Sequence, residues 1–208
     1  MNPGYLASVL LAISVIFLLS GWREIFMRSI SGRDILLFFM FALPAAWLTF
    51  SVGGALINGT VPVAFCAALL IGIRKKSLWE GGHLFATGLL LGAVHLLMLE
   101  LYSVDPVMIV LKPEWDIAVV LAVLVMGMHR GAAEQYVSLT VAMIAGDLSF
   151  ACMHGGTMPV HLGTPSFLDK WWLSFLTARL LTVFLESVYS GCRTTARQWI
   201  QRKRGWRK

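Results

Sequence analysis

The chain has 208 residues, of which 58% are apolar and only 13% charged, with a formal charge of +6 and a mean hydropathy of +0.75. A soluble domain runs near half apolar and a quarter charged, so lipid rather than water is the expected solvent. Three cysteines, Cys66, Cys152 and Cys192, lie in separate segments without a CxxC, which excludes a disulfide framework and a zinc ribbon.

Seven apolar segments follow one another, at 4 to 21, 34 to 52, 56 to 73, 83 to 103, 115 to 129, 136 to 153 and 171 to 190. About 20 residues at 1.5 Å each cross a hydrocarbon core of about 30 Å, and five segments meet that length comfortably. The first is apolar all round and is preceded by no cationic side chain, Arg23 being the first, so it is expected to stay as an anchor rather than to act as a signal peptide. Pro44 is expected to kink the second helix. Asn58, Thr60 and Pro62 interrupt the third near its start, and Asn58-Gly59-Thr60 matches a glycosylation acceptor. In the fourth, Gly88 and Gly92 form a GxxxG face suited to close helix approach, either within the bundle or to a membrane partner or second copy. The fifth, 115 to 129, is short.

Charge supports the full count. With seven spans, fourteen of the seventeen Lys and Arg residues fall on one side, in the loops 22 to 33, 74 to 82 and 130 to 135 and in the tail. The other side carries Lys112 and Lys170, and Arg179 lies within a helix. Because cytoplasmic loops collect Lys and Arg, the expectation is an all-α seven-helix transmembrane bundle in the cytoplasmic membrane, N-terminus outside and C-terminus inside. A fifth segment that failed to span would strand the basic tail outside, so a short or tilted helix is expected there. Residues 1 to 191 then form the bundle and 192 to 208 a basic juxtamembrane tail, in which Trp199 and Trp206 alternate with cations suited to anionic lipid headgroups. No nucleic acid partner is expected.

Ionisable side chains inside a bilayer are expensive and mark the places to look for function. Five are present: His95, Glu100, Asp147, Arg179 and Glu186. Counted from the outer segment ends, Asp147 lies roughly 9 Å deep and His95 and Arg179 roughly 12 Å. An Asp147–Arg179 ion pair joined by His95 is therefore expected between the fourth, sixth and seventh helices. Glu186, seven residues from Arg179, lies on nearly the same face. The plain reading is a pair that locks helices; the alternative is a site for an ion or small polar solute. Cys152, His154 and His161 offer metal-ligand atoms at a spacing that fits no metal motif, so no metal or cofactor is expected. There is no HExxH and no GxSG, and no nucleophile with its base, so no enzymatic activity is expected.

The opening Met1-Asn-Pro-Gly-Tyr5, the Gly21-Trp-Arg23 that ends the first segment, and the overall size and hydropathy resemble the YphA-like small integral membrane proteins of spore-forming Firmicutes. The resemblance implies a multi-pass membrane protein. It brings no activity, and no functional residue transfers with it.

Overall fold

The computed structural model describes residues 2–27, 30–52, 55–75, 77–154 and 161–205, with the side chains of 19, 23, 52, 78 and 195–205 outside the description. The described residues form eight helices: α1 (Tyr5–Leu19), the single turn α2 (Arg23–Phe26), α3 (Gly32–Ala45), α4 (Thr60–Ile73), α5 (Leu78–Val104), α6 (Pro113–Met128), α7 (Ala132–His154) and α8 (Pro165–Gly205). Apart from α2, each corresponds to one apolar segment of the sequence. Trp79–Val104, Ala132–His154 and Pro165–Thr194 are long and apolar enough to cross a membrane, whereas Tyr5–Leu18 and Thr60–Ile73 are shorter apolar helices.

The second and third segments are not helical throughout. α3 stops one residue after Pro44, so the proline sits at a helix end rather than at a kink, as expected of a residue that offers no N–H to the ladder. The chain then forms a hairpin, β1 (Thr49–Val52) antiparallel to β2 (Ala55–Asn58), and β3 (His161–Leu162) adds to β2 in parallel, with Leu56 opposite His161. This pairing supplies backbone hydrogen bonds where the helices have ended, which an apolar environment demands. Asn58 manages the change from strand to helix. Its side-chain oxygen accepts from the Thr60 amide at 3.0 Å and hydroxyl at 2.7 Å, and its amide donates to Ala46 O. Gly163, at φ +76°, turns the chain from β3 into α8, and a Cβ there would strike Val61 and Asn58.

Contacts gather the ends of the helices into two faces. On one, Arg74 meets Asp34 at 2.9 Å and Lys75 meets Glu134 at 2.7 Å, which brings together the start of α3, the end of α4 and the start of α7. This is the basic face. On the other, the sheet face, the Asp169 carboxylate accepts from the Gly4 and Ala7 amides, satisfying donors left open at the start of α1. Ser166 donates to Glu114 nearby.

α7 runs through the centre, against α4, α5, α6 and α8. Its first twelve residues are buried almost without interruption, so the polar Gln135, Ser138 and Thr140 must find partners inside the bundle. Gly88 and Gly92 of α5 are part of this packing. A Cβ on Gly88 would strike Val141, and one on Gly92 would crowd Ala142 and Ala145. That face is filled by α7 of the same chain, which leaves no room there for the partner or second copy considered from the sequence.

Candidate functional site: two buried polar centres

The helices bring the ionisable residues together in two places, and neither is the expected Asp147–Arg179 pair. Asp147 is joined instead by Lys170, whose Nζ lies 3.0 Å from Oδ1 and 3.4 Å from Oδ2. The reason is depth. α8 begins at Pro165, so Lys170 lies about 8 Å along it and Arg179 about 21 Å, while Asp147 lies about 10 Å from the same end of α7, taking 1.5 Å per residue. Lys170, read from the sequence as an outer-loop residue, is therefore at the right level, and Arg179 is beyond reach.

His95 of α5 completes this first centre, with Nε2 3.4 Å from Asp147 Oδ1. The imidazole is fully buried, and among the described residues neither ring nitrogen makes a hydrogen bond. Gly146 makes the arrangement possible, because a Cβ there would collide with the His95 ring. Lys170 and Asp147 balance each other, so a neutral imidazole leaves the centre uncharged. Their side chains are 9% and 17% exposed, which makes this a closed contact rather than a hydrated one.

The second centre is near the basic face. Arg179 Nε donates to Phe26 O at 2.8 Å, and Nη1 donates to Arg130 O at 3.1 Å and Gln135 Oε1 at 3.3 Å. Gln135 Nε2 donates to His129 O at 2.7 Å and to Thr182 Oγ1 at 2.8 Å. A single cation thus staples the α2 turn, the loop between α6 and α7, and α8. In that loop His129 Nε2 lies 2.9 Å from Thr87 Oγ1, which is itself 3.1 Å from Ser138 Oγ, and His129 Nδ1 lies 3.9 Å from Glu134. Burial is the largest influence on the His129 imidazole and holds its pKa below the usual 6.5, with the Glu134 carboxylate acting in the opposite direction and His83 and Lys75 adding to the depression.

Of the remaining sequence candidates, Glu186 acts electrostatically on Arg179 at the second centre, and the others are joined to neither centre. Glu100 Oε1 is 3.7 Å from His154 Nδ1 at the sheet face. Glu186 is exposed and, with Glu24, Ser187 and Ser190, lines an open polar cavity of about 750 Å³. His161 stands in β3, and among the described residues no group of three or more His, Cys, Asp or Glu is placed to hold a metal ion, so Cys152, His154 and His161 do not form one. A second cavity, apolar and about 410 Å³, lies between α3 and the bundle. Neither cavity is lined by His95, Asp147, Lys170 or Arg179.

A family model described as "YphA-like integral membrane protein" matches residues 4–206. No curated protein and no solved structure matches the chain.

Proposed function

The chain belongs to the YphA-like integral membrane protein family, and on that premise we propose a seven-span bundle that serves the cell envelope as a structural or assembly component. Its N-terminus is outside and its C-terminus in the cytoplasm. The basic face is then cytoplasmic: fourteen of the seventeen Lys and Arg residues belong to the loops and tail on that side. With Lys170 inside α8, Lys112 is the one Lys or Arg left on the outer side. α6, at 16 residues, spans as a short helix.

The observation that carries the structural reading is that the buried ionisable groups end on protein partners in closed contacts. A transporter needs its charged groups in a cavity the solute can enter. Asp147 is instead matched by Lys170, and Arg179 is wrapped by carbonyls and an amide. Apolar replacement of a matched pair is tolerated in many folds. Joint replacement Asp147→Leu with Lys170→Met should therefore restore a deletion strain in solute uptake, lipid composition and envelope phenotype. A double variant that inserts normally yet fails to restore them would assign the pair to a ligand and overturn the structural reading.

A further inference from the structure

The apolar cavity is not explained by a helix-locking role. It runs along α4 from Pro62 to Arg74, roughly 18 Å at 1.5 Å per residue, so it is elongated along the helix direction. Half the hydrocarbon thickness of a bilayer is about 15 Å, so the trough matches the depth of one leaflet. Its floor is aromatic. Phe38 and Phe39 of α3 reach Tyr136 and Trp172 at ring separations of 5.8 and 6.2 Å, and Trp171 stacks on Phe175 at 6.1 Å.

Two polar groups of this floor are engaged elsewhere. The Tyr136 hydroxyl donates to Ala64 O and the Trp171 indole N–H to Thr140 Oγ1, both at 3.1 Å. Ring faces and aliphatic groups then dominate the space between, with Ser14 and the Cys66 thiol beside them, which favours hydrocarbon over water. The trough opens sideways, since Leu37, Phe41 and Leu70 at its edge are exposed on a surface that faces lipid. Among the described lining residues, the charged ones, Asp34 and Arg74, stand together at one end. There Arg74 contacts Asp34 through Nη1, leaving the rest of its five-donor fork for an anion. Arg33, next to Asp34 in α3, is exposed on the same basic face and adds to its positive potential.

We propose that this trough binds one anionic phospholipid from the leaflet at the basic face, with an acyl chain between α3, α4 and α8 and the phosphate at Arg74. The bound chain completes the packing of α3, whose close helix contact is with α4 and which otherwise reaches the bundle through aromatic side chains. Phosphate geometry suits a guanidinium, and an apolar trough without hydrogen-bond partners suits a single saturated or unsaturated chain equally.

Cys66 lines the trough and is exposed, which provides a reporter. The full chain carrying Cys152→Ser and Cys192→Ser, in detergent, is titrated with phosphatidylglycerol, phosphatidylcholine or inorganic phosphate while the rate of Cys66 alkylation by N-ethylmaleimide is followed. Phosphatidylglycerol should slow alkylation at the lowest concentration, and inorganic phosphate should leave the rate unchanged. Arg74→Gln should raise the half-protecting concentration about fivefold, the value of one basic residue near an anionic headgroup. Ala67→Trp, which fills the trough, should make the rate independent of lipid. Unchanged alkylation with phosphatidylglycerol, equal protection by phosphatidylcholine, or protection by inorganic phosphate alone would each overturn the proposal. If Ala67→Trp does not fold, the titration of the unfilled trough and of Arg74→Gln still decides.

Discussion

Asp147 and Arg179 lie in helices that touch, and the bundle accommodates the two charges by opposite means. Asp147 is cancelled by a counter-ion, Lys170, at 3.0 Å. Arg179 is held by two backbone carbonyls and a side-chain amide, with no carboxylate in direct contact and Glu186 acting on its charge from a distance. The difference follows from position. Near the sheet face an isolated charge would be costly, so it is neutralised; near the basic face a net cation agrees with the charge asymmetry that orients membrane proteins. A matched pair is therefore replaceable as a unit, whereas a cation that satisfies backbone carbonyls leaves those acceptors unmet whatever side chain is removed with it.

Substitution can break this contrast at the Arg179 centre first. Arg179→Met should cost roughly 3 kcal/mol or more, since it strips a charged donor from two buried acceptors and one part-buried one. Adding Gln135→Leu should not recover it, because Phe26 O and Arg130 O remain without their donor. Thermal unfolding in detergent measures both. Next in size is Gly146→Ala, which should cost about 1–3 kcal/mol by forcing the His95 ring away, with partial recovery when His95→Ala frees the space.

The smallest expected effect is that of pH. Because the folded state holds the His129 pKa below 6.5, the unfolded chain binds the proton first. Stability should fall as pH drops below 6.5 and level off once the folded imidazole is also protonated. His129→Gln should flatten that slope in unfolding curves recorded at a series of pH values, and an unaltered slope would place the titrating group elsewhere.

How much of this was legible in sequence varies by region. The seven apolar segments each contain a helix, because hydropathy over such lengths leaves little alternative in lipid. Hydropathy does not distinguish the last turns of a helix from an apolar hairpin, so it merges Thr49–Val52 and Ala55–Asn58 into spans although Pro44 and Asn58 mark their ends. Hydropathy puts Lys170 outside the last span for a similar reason. The apolar window opens at Trp171, but the helix opens at Pro165, where Thr164 Oγ1 accepts from the Phe167 amide. A threonine followed by proline is a readable helix start, and weighting it over hydropathy places Lys170 inside α8.

Depth alone groups Asp147 with His95, and His95 Nε2 lies 3.4 Å from Asp147 Oδ1. The partners of Arg179 were not readable, since Phe26 O and Arg130 O are backbone atoms that carry no residue signature. Gln135 and Thr182 could have been noticed as polar residues inside apolar helices, but nothing in their spacing ties them to Arg179. His129 closes the fifth apolar segment of the sequence, and only the fold brings it to Thr87 and Glu134.

The most direct test of buried charge as a helix lock is a double-mutant cycle on Asp147 and Lys170, read as unfolding free energy of the purified full chain. Asp147→Leu alone should cost about 3–5 kcal/mol by leaving Lys170 buried without a counter-ion, and Lys170→Met alone a similar amount. The double variant should return to within about 1 kcal/mol of the unaltered protein, giving a strong coupling energy. Losses that simply add in the double variant would show that the two residues stabilise the bundle independently, and would contradict the lock.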